Sequence, residues 1–140
     1  EISAEAERLL AVTKKSLEMG IEKAVSGNRI GDIGAAIQTF VEDNSFNVVR
    51  AFVGHGIGQK MHEAPQVPNF GSPGHGPRLE PGMTIAIEPM VNAGTEDVAI
   101  MPNKWTVVTK DGRLSAHFEH SILVTGGQPE ILTRLHEGLT

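Results

Sequence analysis

Apolar side chains recur through residues 3–25 at Ala6, Leu10, Leu17, Ile21 and Ala24, a spacing that puts them on one stripe of an amphipathic helix. Ser3 predicts its N-cap, Glu5 and Glu7 meet the positive end of the helix dipole, and Gly27-Asn28 stops it. Residues 30–43 predict a second helix, burying Ile30, Ile33, Ile37, Phe40 and Val41. From Phe46 the period shortens, and a strand leads into a glycine-rich turn. Thr84, Ala86 and Glu88 then alternate with Ile85 and Ile87 until Pro89 ends the run. Residues 105–109 and 114–125 flank Lys110-Asp111-Gly112-Arg113, a hairpin signal. On the second of these strands His117, Glu119 and Ser121 share one face, and Phe118, His120, Ile122 and Val124 the other. Residues 130–133 predict a last edge strand, with His136 in a polar tail beyond it. Residues 65–81, rich in proline and glycine, predict an irregular surface loop in which His75 is solvated. The sum is an α+β fold, two helices packed on a mainly antiparallel sheet, with strands and site loops over about 46–133.

Composition narrows the class. A chain of 140 residues, 39% hydrophobic and 21% charged, reads as one globular domain, 1–140. Aromatic residues make up only 4% and tyrosine is absent, so the core must be built from Ile, Val, Leu, Ala and Met. A net charge of −5 disfavours nucleic acid and an anionic membrane as partners. With no cysteine there is no disulfide framework, and no apolar run approaches the length of a membrane span, so the expected location is the cytoplasm. The first residue is Glu1, directly before an amphipathic helix, which gives the expectation of an excised segment.

The candidate chemistry lies in three segments far apart in sequence: Gly54-His55-Gly56-Ile57-Gly58 with His62-Glu63, the run ending at Glu88, and Phe118-Glu119-His120. Glycines around His55 predict positive φ and close approach of the backbone to a ligand. A dinucleotide fingerprint does not fit, because that motif opens a helix whereas Pro65 and Pro68 follow here. A zincin HExxH fails as well, since the position four after His62 is Gln66. One imidazole and two carboxylates suit Mn, Fe, Co or Zn better than Mg or Ca alone. Strand alternation turns His120 away from anything Glu119 holds, which leaves it a hydrogen-bonded supporting role. His117 fits equally a pocket lining and an exposed strand position.

Gly54-His55-Gly56-Ile57-Gly58, His62-Glu63-x-Pro65, Gly82-Met83-Thr84-x-x-Ile87-Glu88-Pro89-Met90 and Glu119-His120 together resemble the C-terminal half of a type I methionine aminopeptidase. The resemblance implies one half of a pita-bread (creatinase/aminopeptidase) fold. It implies that His55, Glu88 and Glu119 are ligands of a centre of two divalent metal ions (Co, Mn, Fe or Zn), with Glu119 bridging. It further implies that His62 stabilises the reacting carbonyl and that Met61 and Trp105 line the pocket for the substrate methionine, while Glu88 is the expected proton carrier on acid–base grounds. Met61 stands where the family usually has Phe, an apolar but more pliable choice. For Trp105 to reach the pocket beside Glu119, the 110–113 hairpin must have a three-residue loop or a bulge, because a one-residue slip changes the face.

The departure from the family matters too. Its two aspartate ligands, and a further substrate histidine, belong to an N-terminal half ahead of residue 1; Asp32, Asp43, Asp97 and Asp111 do not sit in the aspartate motif. The expected activity of the complete enzyme is removal of the initiator methionine from nascent polypeptides. These residues alone are expected to be inactive or nearly so and to hold at most one ion, weakly. The expected partners are the missing half, or another copy of the chain along an open sheet edge. The alternative is a catalytically silent half-domain, or a non-enzymatic relative of the fold acting as a binding or structural module.

Overall fold

The computed structural model describes residues 2–135, so His136 lies outside the described residues. Two helices come first, α1 (Ala4–Glu22) and α2 (Ile30–Asp43). Ten short strands follow: β1 (Asn47–Val48), β2 (Gly54–Ile57), β3 (Glu63–Val67), β4 (Thr84–Ile87), β5 (Met90–Asn92), β6 (Val98–Ile100), β7 (Val107–Thr109), β8 (Ser115–His117), β9 (His120–Leu123) and β10 (Glu130–Ile131). They form sheets ordered β10-β9-β4-β2-β3, β1-β5-β8 and β6-β7, and every strand pair described is antiparallel. The expected α+β arrangement of two helices on an antiparallel sheet is what the chain adopts.

Helix α1 starts where the sequence predicts, with Ser3 Oγ accepting from the N–H of Ala6 at 3.2 Å. Its buried stripe, however, is Leu9, Val12, Thr13, Ser16, Leu17, Gly20 and Ile21, and Leu10 is 42% exposed. The polar members can go inside because their hydroxyls are satisfied locally: Thr13 Oγ1 donates to the carbonyl of Leu9 at 2.7 Å and Ser16 Oγ to that of Thr13 at 2.8 Å. Gly20 leaves room for α2, since a Cβ there would lie 2.8 Å from Ile37 Cδ1. The helix ends at Glu22, three residues before the expected stop, and Ala24 is buried in the connection that follows. Helix α2 matches its expected range; Ile30, Ile33, Ile37 and Val41 are buried, with Phe40 partly so.

These helices pack on a core that includes Ile85, Ile87, Val91 and Ile122, all fully buried. Each such side chain contributes roughly 1.5–3 kcal/mol by leaving water. The 65–81 segment is less irregular than its composition predicts. Its first residues form the edge strand β3, which tolerates Pro65, and Asn69 and Leu79 are wholly buried. Asp32 in the first turn of α2 ties down the remainder. Its carboxylate accepts the N–H of Arg29 at 2.7 Å and that of Gly74 at 2.8 Å, and these two bonds hold its pKa below the ordinary carboxylate range.

The hairpin expected around residues 110–113 is corrected by the sheet pairing. The turn itself forms, with Gly112 at φ 72° and Thr109 Oγ1 donating to the carbonyl of Arg113 at 2.8 Å. Its two arms nevertheless pair elsewhere, β7 with β6 and β8 with β5. What closes β6 onto β7 is Asn103, whose Oδ1 accepts the N–H groups of Trp105 and Thr106, with Lys104 at φ 58°. Trp105 therefore sits in the β6–β7 turn, outside any strand, and pairs with neither Phe118 nor Glu119. It is 88% exposed.

Candidate metal centre

The site forms where one long ribbon is shared between two sheets. Pro89 lacks an N–H and interrupts the strand after Ile87, so β4 stays in the five-stranded sheet and β5 continues in the three-stranded one. Opposite them β8 and β9 divide in the same way at Phe118 and Glu119, so the single strand expected over 114–125 is broken in the middle. The register nevertheless runs through the break: Ile87 pairs with His120 and Met90 with His117. Glu88 and Glu119 thus face one another where neither strand completes its ladder.

His55 comes from β2, beside β4, where it pairs with Ala86. Against β3 the register jumps at this point, from His55 opposite Gln66 to Gly56 opposite Glu63. Irregularities of this kind re-aim side chains beside functional sites. The glycines here are needed for strand approach, not for positive φ as their clustering predicts. A Cβ at Gly54 would lie 2.2 Å from the carbonyl oxygen of Ala86, and one at Gly56 2.2 Å from that of Ala64. Gly54, Gly56 and Gly58 are all absent from the left-handed positions of the backbone.

One ligand atom from each of His55, Glu88 and Glu119 lies within 4.8 Å of the other two. His55 Nε2 is 3.4 Å from Glu88 Oε1, and the two side chains are 15% and 12% exposed. His55 Nδ1 sits 3.0 Å from the carbonyl oxygen of Gly56. A proton on Nδ1 satisfies that contact and leaves the Nε2 lone pair free toward the carboxylates. Burial, and then the charge of Glu119, raise the pKa of Glu88, while His55 acts in the opposite sense. A largely buried carboxylate facing another carboxylate is a cation-seeking arrangement, and the donor set of one imidazole and two carboxylates fits a divalent transition ion.

His62 is exposed on the turn after β2, its ring 4.1 Å from that of His55 at an interplanar angle of 47°. Glu63 Oε2 accepts the N–H of Lys60 at 3.3 Å, tying down the turn that carries Met61 and His62. Met61 is 70% exposed, and neither it nor Trp105 lies in an enclosed apolar cavity among the described residues. His120 points its Nδ1 to Thr133 Oγ1 at 2.8 Å, in keeping with a hydrogen-bonded supporting role. His75 is exposed on its loop.

Sequence reasoning missed Asn69. It is fully buried and its Nδ2 donates to the backbone carbonyl of Glu88 at 3.2 Å, filling the place left by the interrupted ladder. Its signal is an Asn among prolines and glycines, which reads as a turn residue until the strand break at Pro89 is known.

This combination of fold and site is that of a metallopeptidase. The chain belongs to metallopeptidase family M24, which it matches over residues 1–126. Its similar relatives are methionine aminopeptidases. The one from Clostridium perfringens is 57% identical over 132 residues, which are 94% of this chain and 53% of that protein. Methionine aminopeptidase 1 of Bacillus subtilis is 53% identical over 134 residues, 96% of this chain and 54% of the relative. The crystal structure of the Thermotoga maritima methionine aminopeptidase superposes with a TM-score of 0.94 at 47% identity, over 96% of this chain and 54% of that one. A prolidase from Pyrococcus horikoshii, 18% identical with a TM-score of 0.72, shares the fold. The fold is thus the pita-bread fold, and the chain spans about half the length of the curated relatives it matches.

Proposed function

We propose that residues 1–140 are the C-terminal half of a metallo-aminopeptidase catalytic domain, and that the complete enzyme removes the N-terminal methionine of nascent polypeptides in the cytoplasm. The observation that carries this reading is the convergence of His55, Glu88 and Glu119 within 4.8 Å, next to the His62 ring. Those three residues would hold the metal in the complete enzyme. Divalent ions such as Co, Mn, Fe or Zn supply Lewis acidity, which lowers the pKa of water and polarises a carbonyl.

The chain's own groups do the rest. The carboxylate of Glu88 takes the proton of the attacking water and passes it to the leaving amine. An N–H of His62 donates to the substrate carbonyl oxygen as negative charge develops there. Met61 and Trp105 offer apolar surface to the methionine side chain, which the relatives' remaining half would enclose.

A second reading is favoured by the exposed apolar residues Met61, Ile100 and Trp105 and by the edges of β3 and β10, which are unpaired among the described residues. In it, these 140 residues alone are catalytically silent and pair with the other half, or with a second copy of the chain. A methionyl-peptide assay with added Co²⁺ or Mn²⁺ tests both: turnover by residues 1–140 alone overturns the silent-half reading, and an enzyme of the relatives' length tests the proposal. Release of methionine by the relatives-length enzyme and its loss in His62→Ala are the expected results. An enzyme of that length that binds metal but leaves methionyl peptides intact overturns the proposal.

A further inference from the structure

The two oxygens of Glu88 face two different imidazoles. Oε1 lies 3.4 Å from His55 Nε2, and Oε2 lies 3.7 Å from His117 Nε2. His117 is the last residue of β8 and pairs with Met90, so the ribbon register brings its ring back over the strand break. Its side chain is 44% exposed, and it is outside the group formed by His55, Glu88 and Glu119. The backbone carbonyl of Glu88 is held separately, by Asn69.

We propose that His117 is a positioning residue for Glu88: its Nε2–H holds Oε2, so that the carboxylate presents Oε1 to the centre made with His55 and Glu119. The inference rests on the metal-centre reading above and adds a residue to it. The physical need is plain. A glutamate beside an interrupted strand has three side-chain torsions to fix, and Glu119 stands opposite it with a like charge. A donor on the far oxygen fixes the carboxylate plane without using the ligand atom, as outer partners of metal ligands commonly do. At 3.7 Å the imidazole nitrogen is the neighbour of Oε2 from the β8 side, a few tenths of an ångström beyond hydrogen-bond distance. The role needs a donor at that place, not a titrating group. Glutamine, with an amide nitrogen at similar reach, is therefore the conservative replacement.

The test uses this chain with His117→Ala and His117→Gln. In crystal structures of the metal-free proteins, the Glu88 carboxylate is expected to leave its position in the alanine variant and keep it in the glutamine variant. Calorimetric Co²⁺ titration should then show affinity about 10–100-fold weaker for His117→Ala and near the parent value for His117→Gln. An unmoved Glu88 carboxylate in His117→Ala overturns the inference, as does a parent-like Co²⁺ affinity in that variant. A parent chain that binds Co²⁺ too weakly to titrate leaves the decision on His117 to the crystal structures, and an enzyme of the relatives' length that binds no Co²⁺ counts against the metal-centre reading instead.

Discussion

Glu88 stands directly opposite Glu119 in an antiparallel ribbon whose register, Ile87 with His120 and Met90 with His117, passes unbroken through both residues. Like charges placed opposite one another are destabilising, and a cation between them reverses the sign. Glu119→Gln should therefore stabilise the metal-free protein by a few tenths of a kcal/mol. In the parent, Co²⁺ at a hundred times its Kd should add about 2.7 kcal/mol, and the variant should lose most of that gain. Urea unfolding in chelator and in Co²⁺ measures both. The same sign of change in the two conditions would remove the carboxylate pair from the metal centre.

Leu9 and Leu10 are adjacent and chemically identical, yet one is buried on the core face of α1 and the other is 42% exposed. Leu9→Ala should cost 2–5 kcal/mol, the usual range for a cavity left in a core. Leu10→Ala should stay within roughly 0.5 kcal/mol, as surface changes do. Chemical denaturation of the two variants distinguishes the observed stripe from the one that apolar spacing alone predicts.

The reason that spacing misled at Leu10 also marks how far the sequence could be read. The buried stripe passes through Thr13 and Ser16, whose hydroxyls bond to their own helix, so a count of apolar residues does not single out the face that also carries Leu9 and Val12. Where the core face is plainly apolar, as in α2, the expected range and buried set hold. That His55, Glu88 and Glu119 come together could be expected from the resemblance of their three motifs to the aminopeptidase family. Pairing partners were not. A Lys110-Asp111-Gly112-Arg113 turn reports a reversal of the chain, but which strands then pair is decided by packing at long range, and here the arms go to β6 and β5. Trp105 was misplaced for that reason alone. Asn69 was out of reach because its role depends on a carbonyl that only the broken ladder leaves unpaired.

Asp32 gives the fold a definite acid limb. The N–H groups of Arg29 and Gly74 hold its folded-state pKa below the ordinary value. The carboxylate therefore adds stability that is fully present above the unfolded value of about 3.9 and is lost as pH falls through the lower, folded one. Asp32→Ala should cost about 1 kcal/mol at pH 7, by analogy with other lost caps, and the difference from the parent should shrink below pH 4. Urea midpoints from pH 7 down to pH 3 test this. A difference that stays constant over that range would mean that the charge of Asp32 does not matter to the clasp.

Gly54 and Gly126 separate crowding from flexibility. Neither has the left-handed backbone that would penalise a side chain by itself. A Cβ at Gly54 would meet the carbonyl oxygen of Ala86 at 2.2 Å, whereas one at Gly126 meets nothing within 4 Å. Overpacking against backbone has no flexible side chain to give way, so Gly54→Ala should destabilise by about 1–3 kcal/mol or more. Relief comes only by moving β2 off β4, and that carries His55 away from Glu88, so Co²⁺ affinity should fall even under conditions where the variant is folded. Gly126→Ala should be neutral, or stabilising by up to about 1 kcal/mol through the unfolded chain. Thermal unfolding together with Co²⁺ titration of both variants checks this. A Gly54→Ala protein that is as stable as the parent and binds Co²⁺ as tightly would show that the glycines beside His55 serve some purpose other than strand approach.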